Sequence, residues 1–304
     1  MMSLNPLQGA RALTLPSREA MLYREPSVEQ FWNTNQDLLS HAWQEWEVDQ
    51  KDDLLPLDSS LLDKDLRNAV TQAWQDPTKE LAVQDLLQEV ASDVFRFQFF
   101  DPKRLADLRD YLESVWDAQI PLRPPYGIVL NRRGAMLDSR SEGYLAAPSF
   151  QTFYRQMIDM YMRPIARMLF PEIIGYDNQA FGFSIHYRPN TDNSIRPHTD
   201  ASAVTLNINL NPPDALFTGS TVDFYDSETG KMKGITFTPG SAILHRGKVV
   251  HAAQPITSGE RTNFVLWLFG EQGRLPPQGA QPIPIDASER WTLPTTAPDD
   301  YAPF

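Results

Sequence analysis

Hydrophobic and polar positions change their rhythm along this chain. From about 27 to 93, apolar side chains recur at helical spacing. In SVEQFWNTNQDLLSHAWQEWEVDQ, Phe31, Leu38, Trp43 and Trp46 fall on one side of a predicted helix, with Ser27 as N-cap and Glu29 close behind. Two more helices are predicted over SSLLDKDLRNAVTQAWQ and PTKELAVQDLLQEVASD, opening near Ser59 or Ser60 and near Thr78. Their Trp and Leu residues read as helix packing, because an amphipathic helix buries such a stripe against its neighbours. Residues 1–23 have no clear period and read as loop or an extended arm.

The run VFRFQFF (94–100) alternates and is rich in strand-forming residues, so a strand is predicted. A helix is predicted over 101–118, with Asp101 as N-cap and Pro102 in its first position. LRPPYGIVLN (122–131) reads as a proline-broken approach to a short strand, and 149–171 as a helix interrupted at Pro164. Its Met residues read as gap-fillers rather than a binding stripe. Beyond 178 the rhythm becomes short and alternating: AFGFSIHY, AVTLNINL, STVDFYD, GITFTP, SAILH, VVHAAQPI and TNFVLWLFG, separated by Asn-Pro-Pro, Glu-Thr-Gly, Pro-Gly and Ser-Gly-Glu. Many short strands at that spacing predict a sandwich or jelly roll rather than a parallel α/β sheet. The tail, 275–304, is proline-rich and is expected to pack over the body as coil. No internal repeat, P-loop or dinucleotide fingerprint is present.

Charge sharpens this division. The 304 residues carry a net charge of −12, and 1–93 alone hold 17 Asp and Glu against 7 Lys and Arg. An acidic helical region over 1–93 and a second module from 94 are therefore expected. Such a balance argues against nucleic acid, which needs a basic surface, and weakly favours cationic partners by long-range attraction. With no cysteine, disulfides and thiolate metal sites are excluded, and a bound metal must take N and O ligands. The N-terminus lacks the apolar run of a signal peptide, and no stretch approaches the roughly 18 apolar residues of a membrane span. A cytoplasmic protein is expected; self-association is left open.

The candidate chemistry lies in RPHTDAS (196–202) and HAAQPITSGER (251–261). His198, Asp200 and His251 offer two imidazoles and one carboxylate, a set that can hold one face of a ferrous ion and leave the other open. The His-x-Asp spacing suits two side chains at the end of one strand. Ten positions beyond His251, Arg261 offers a planar fork able to take a carboxylate in two parallel bonds. Together they point to an Fe(II), 2-oxoglutarate-dependent oxygenase. A lone His-x-Asp is ordinarily a surface polar cluster; here the distal His, the Arg and the strand context agree. His245 competes with His251 as third ligand. His186 alternates to the opposite strand face from Tyr187 and reads as packing, and His41 carries no signal.

From about 94 to 270 the chain resembles the prolyl/lysyl-hydroxylase branch of the 2-oxoglutarate oxygenases. It is similar to the procollagen lysyl hydroxylase catalytic domain and to the 2-oxoglutarate and iron-dependent oxygenase domain proteins. The resemblance rests on HYRPNTDNSIRPHTDAS (186–202), VTLNINLN (204–211), SAILHRGKVVHAAQPITSGERTNFVLWL (241–268) and the segment PYGIVLN (125–131). It implies an α+β fold, a double-stranded β-helix (jelly roll, cupin-like) core over about 178–270 with supporting helices and an N-terminal helical layer. The oxygenase domain would run from 94 to 274. It implies iron on His198, Asp200 and His251, the distal carboxylate of 2-oxoglutarate on Arg261, and further co-substrate contacts from Tyr187 and Asn207. Only His251 has the spacing to Arg261 found in the 2-oxoglutarate oxygenases this chain resembles, so a structural role is expected for His245. For Tyr187 the plain alternative is a core tyrosine, and for Asn207 a polar residue bonding across the sheet. The implied cofactors are Fe(II), 2-oxoglutarate and O2, with ascorbate as stimulant. The implied reaction converts 2-oxoglutarate to succinate and carbon dioxide while hydroxylating an unactivated C–H bond. Asp200, where Ala or Gly would admit a halide, favours oxygen insertion over halogenation. The substrate could be a Lys, Pro or Arg side chain in a protein, peptide or free amino acid. A natural-product scaffold, an inactive jelly-roll binding module and a cupin-type metal protein are the alternatives. Specificity is expected in the loops near 126–138 and 190–194, and in the N-terminal helices.

Overall fold

A computed structural model describes residues 5–125, 133–191, 193–277, 279–280 and 284–303. Most of the stretch 122–131, and with it all of the PYGIVLN segment but Pro125, falls outside the described residues. The N-terminal part contains α1 (Pro6–Arg11), α2 (Arg18–Tyr23), α3 (Pro26–Asp49), α4 (Lys64–Gln75) and one turn, α5 (Leu81–Gln84). Residues 1–23, expected as loop, thus hold two short helices, with Asn5 and Ser17 accepting from the N–H three residues on. α3 opens one residue before Ser27, because Pro26 occupies its first position with a preset φ. α4 is capped by Asp63, which accepts from the Asp65 and Leu66 N–H groups; Ser59 and Ser60 lie in a separate short turn.

The helix expected over PTKELAVQDLLQEVASD does not run through. After α5 comes strand β1 (Gln88–Ala91), which turns at Asp93 (φ 63°) and pairs antiparallel with β2 (Val94–Gln98). Cross-strand pairing with Val90 and Ala91 turned into an apolar cluster outweighs the weak helical preference of this short stretch. α6 (Leu105–Asp117) starts later than expected, since Asp101 accepts from the Lys103 N–H at 2.9 Å and forms a turn instead. α7 (Pro148–Gln156) and α8 (Arg163–Leu169) are joined by a π-turn over Met157–Met162. A wider turn ahead of Pro164 absorbs the missing N–H and the ring, so the helix passes the proline instead of breaking.

The remaining strands are β3 (Ala135–Met136), β4 (Gln179–Tyr187), β5 (Ile195–His198), β6 (Val204–Asn209), β7 (Thr218–Gly219), β8 (Val222–Asp226), β9 (Lys231–Ile235), β10 (Ser241–Arg246), β11 (His251–Ala253), β12 (Ile256–Ser258) and β13 (Arg261–Phe269). They form a seven-stranded antiparallel sheet, β1-β2-β10-β6-β13-β4-β3, a four-stranded one, β5-β11-β8-β9, and a small β12-β7 pair. From β4 onward, leaving aside the small β12-β7 pair, the chain crosses from one large sheet to the other between successive strands, except at the β8–β9 hairpin. The molecule is thus mixed helix and antiparallel sheet.

The larger sheet is covered on both faces, so β13 reads almost continuously apolar. Phe264, Leu266 and Leu268 pack with the helices, while Val265 and Trp267 join β4 residues and Ala253 of β11 in a second cluster. An aromatic series links the N-terminal helices to this sheet: Trp46 on Tyr111 (6.0 Å), Tyr111 on Phe150 (6.2 Å) and Phe150 on Phe264 (6.1 Å). One cluster of buried apolar side chains therefore extends from Leu7 to Trp291. The tail is not all coil, since it contains α9 (Ala287–Arg290). Trp291 packs edge-on against Trp74 at 5.7 Å and donates to Glu80 at 3.0 Å. Among the described residues, no helix is long and apolar enough to cross a membrane.

Candidate functional site

His198 ends β5 and His251 begins β11, and the antiparallel register sets them directly opposite each other. Their ring centroids are 4.3 Å apart. Asp200 does not share the strand with His198, as alternation had suggested; it lies two residues beyond β5, in a loop. That loop is fastened to Gly247: the Asp200 N–H donates to the Gly247 carbonyl at 2.9 Å, and the Gly247 N–H to the Ala203 carbonyl at 3.1 Å. A Cβ at Gly247 would stand 1.9 Å from the Ser202 carbonyl oxygen, so only glycine permits this approach. The Thr205 hydroxyl donates to Asp200 Oδ2 at 2.6 Å and fixes the carboxylate.

Both imidazoles are set in one tautomer. His198 Nδ1 lies 2.8 Å from the Arg196 carbonyl and His251 Nδ1 3.0 Å from the Val249 carbonyl. A carbonyl only accepts, so each Nδ1 carries the proton and each Nε2 presents a lone pair. These Nε2 atoms lie 3.6 Å from Asp200 Oδ1 and 3.7 Å from Asp200 Oδ2. Burial pushes the His251 pKa down, against the pull of the Asp200 carboxylate, and favours the uncharged, ligating form. One ligand atom from each of His198, Asp200 and His251 falls within 4.8 Å of the others, a two-nitrogen, one-oxygen donor set that fits a ferrous ion.

His245, on β10, lies just outside that group. It is buried, its Nδ1 is bonded to the Arg246 carbonyl at 2.9 Å, and its Nε2 is 3.8 Å from Asp200 Oδ2. Its ring stands edge-on to His251 at 4.7 Å, and burial lowers its pKa to about 4. His186 faces the other side of the sheet, as expected, with Nδ1 2.7 Å from the Thr262 hydroxyl and Nε2 accepting from Arg188 at 3.0 Å.

Arg261 opens β13 opposite Tyr187 of β4. Its guanidinium lies 4.3 Å over the Tyr187 ring and 5.4 Å from that of Phe237. The side chain is 1% exposed; Nη1 donates to the Ser220 carbonyl at 2.6 Å, and Nε is buried without a partner. Among the described residues, no carboxylate lies within 4 Å of it. Burial without a counter-charge depresses its pKa. An orphaned buried donor on a bidentate cation is what a carboxylate ligand would satisfy. Asn207 accepts from Asn263 Nδ2 at 2.6 Å, which leaves its own amide N–H groups for the interior.

A cavity of about 540 Å3 opens between the two sheets, with Tyr187, His198, Asp200, Asn207, His251 and Trp267 in its wall. Arg261 stands behind Tyr187 rather than in the wall itself. Thr205, Asn263 and Gly247 were missed at the level of sequence. Thr205 and Asn263 could have been found as polar residues on inward-facing strand positions, and Gly247 as the glycine inside the second motif. The specificity loop near 126–138 is described only from 133.

No protein-family model matches the chain. Among curated proteins, the 2-oxoglutarate and iron-dependent oxygenase domain-containing protein ICU11 of Arabidopsis thaliana is 30% identical over 57% of this chain and 44% of its own length. The 2-oxoglutarate and iron-dependent oxygenase domain-containing protein 2 of Danio rerio is 31% identical over 65% of this chain and 56% of its own. The multifunctional procollagen lysine hydroxylase and glycosyltransferase LH3 of Homo sapiens is 29% identical over 40% of this chain and 16% of its own. The resemblance to both groups therefore holds, while the chain spans only about half the length of the first two. A prolyl 4-hydroxylase from Phytophthora capsici overlays with a TM-score of 0.45 and 14% identity, covering 77% of this chain and 74% of that one, a likeness too loose to carry an assignment.

Proposed function

We propose that this chain, related over 65% of its length to a 2-oxoglutarate and iron-dependent oxygenase domain protein, is itself an Fe(II)- and 2-oxoglutarate-dependent dioxygenase. On this reading it is a hydroxylase whose eight crossing strands, β4, β5, β6, β8, β9, β10, β11 and β13, are a double-stranded β-helix, backed by helices and by the N-terminal helical layer. The observation that carries the proposal is the cluster of His198, Asp200 and His251 in one cavity wall, with a buried guanidinium lacking a carboxylate partner close by.

His198 and His251 hold the metal through Nε2, oriented by the Arg196 and Val249 carbonyls. Asp200 supplies the negative charge and is kept in place by Thr205 and the Gly247 contact. Arg261 takes the distal carboxylate of 2-oxoglutarate, and Tyr187 and Asn207 orient the same molecule by neutral hydrogen bonds. When bound, ferrous iron with 2-oxoglutarate and O2 supplies the oxidising power, and the co-substrate leaves as succinate and carbon dioxide. Phe183, Ile185, Val265 and Trp267 give the cavity an apolar wall that limits water around the reacting centre.

The substrate reading is a Lys, Pro or Arg side chain, in line with the procollagen lysine hydroxylase among the relatives. The test is to incubate the protein, Fe(II), ascorbate and 2-oxoglutarate with Lys-, Pro- and Arg-containing peptides and with the free amino acids. Mass spectrometry should find a gain of one oxygen, with substrate-stimulated succinate. No gain with any of them would turn the substrate reading to natural products.

A further inference from the structure

A second cavity, of about 640 Å3, lies against the first and shares Thr199 and Asp200 with it, so the exposed stretch from Arg196 to Thr199 divides the two. The wall of the second is mixed, with an apolar part formed by Ile173, Leu275, Pro276 and Pro277. Of its ionic groups, Arg246 is already engaged, paired with Glu172 in the wall and with Asp93 outside it. Asp200 belongs to the metal site in both cavities. What remains is Lys248 in the second cavity and Arg196 in the first. Among the described residues, neither has a carboxylate within 4 Å. A chain with net charge −12 thus presents one cation without a carboxylate partner on either side of its candidate metal ligands, Arg196 and Lys248.

We infer that the substrate carries a carboxylate next to the oxidised position, taken by Arg196 and Lys248 as the substrate lies across Thr199 from one cavity into the other. This rests on the oxygenase reading above and names the substrate class for the same site. The exposed guanidinium of Arg196 can take a carboxylate bidentately, while Lys248 offers a point charge on a flexible stem. Both sit where an ion pair forms without desolvating a deeply buried charge. The carboxylate could come from acidic residues of a peptide or from a small free acid.

The test uses the full chain with Mn(II) in place of iron and saturating 2-oxoglutarate, so that Arg261 is already occupied. Binding is read by fluorescence anisotropy with a short labelled peptide of central proline flanked by glutamates, and with its twin flanked by lysines. The glutamate twin should bind about tenfold tighter at low salt, each rim contact contributing a few-fold. R196E and K248E should each weaken it a few-fold, and the double variant should prefer the lysine twin. Free glutamate that displaces the peptide at comparable concentration would assign the site to small acids; displacement only by the peptide assigns it to acidic segments. Equal affinity for the twins, preference for the lysine twin, no binding of either, or discrimination surviving in the double variant would overturn the inference. Succinate formation by the iron-loaded protein is measured separately. Its absence beside an intact charge preference would overturn the oxygenase reading and leave the rim assignment standing.

Discussion

The two faces of β13 put alternate residues to opposite uses. Phe264, Leu266 and Leu268 face the helices and pack there without a polar atom. Arg261, Asn263, Val265 and Trp267 alternate to the cavity side, where Arg261 keeps a buried Nε without a partner and Asn263 bonds Asn207. The same contrast runs through β6, where Leu206 and Ile208 face the helices and Thr205 and Asn207 the cavity. An unsatisfied buried donor is costly; the one on Arg261 falls on the cavity side of β13, where a ligand could satisfy it. The helix face answers to volume; the cavity face answers to charge and hydrogen-bond geometry.

The contrast can be broken from either side. Phe264→Ala should destabilise the fold by about 3–5 kcal/mol, since it leaves a hole beneath Phe150; denaturant unfolding measures it, and a loss under 1 kcal/mol would deny that this face holds the fold. His251→Ala should do the reverse. Iron affinity should fall by more than the roughly hundredfold typical of losing a supporting residue, with unfolding of the metal-free protein little changed. Equilibrium dialysis with Fe(II) under argon reads this, and His245→Ala serves as the companion, expected to keep the metal. Arg261→Ala should weaken 2-oxoglutarate by at least about 2 kcal/mol, some thirtyfold, while leaving iron binding intact; an unaltered affinity for 2-oxoglutarate would remove Arg261 from the site.

The smallest effect concerns His186 on the helix face. Burial, then the charges of Arg188, Arg109 and Arg133, lower its pKa to about 3 from 6.5. Between those values the unfolded chain binds a proton that the folded chain does not. Stability from this group is therefore complete above pH 6.5, declines as pH falls, and stops declining near pH 3. At pH 5 the loss is about 2 kcal/mol. His186→Asn should flatten that part of the stability–pH curve, and an unchanged slope would refute the assignment.

The metal cluster was legible from sequence because few structural facts are needed to assemble it. Once β5 and β11 pair antiparallel, His198 and His251 stand opposite each other, although 53 positions separate them in the chain. The alternation of β4 likewise separated His186 from Tyr187. Asp200 was read correctly as a neighbour but for the wrong reason: the strand ends before it, and Gly247, far along the chain, sets its place. Tertiary pairing decided β1, where local periodicity favoured helix. It also decided the position of His245, whose closeness to Asp200 comes from the register between β10 and β6. The expected starts at Ser27, Ser59 and Ser60 moved because Pro26 takes the first position of α3 and Asp63 caps α4; aspartate and serine cap about equally well, so local preference alone does not choose between them. The overall acidity weakly favours cationic partners, but most of the acidic surplus lies in 1–93 and so says little about the site, where the proposal for Arg196 and Lys248 calls for an anionic group.

The most direct test is succinate released from 2-oxoglutarate by the full chain under air, with and without Fe(II), compared with His198→Ala. The account predicts slow, iron-dependent succinate from the parent protein even without substrate, and none above background from the variant. Equal succinate from both, or none from the parent protein with Fe(II) bound, would contradict it.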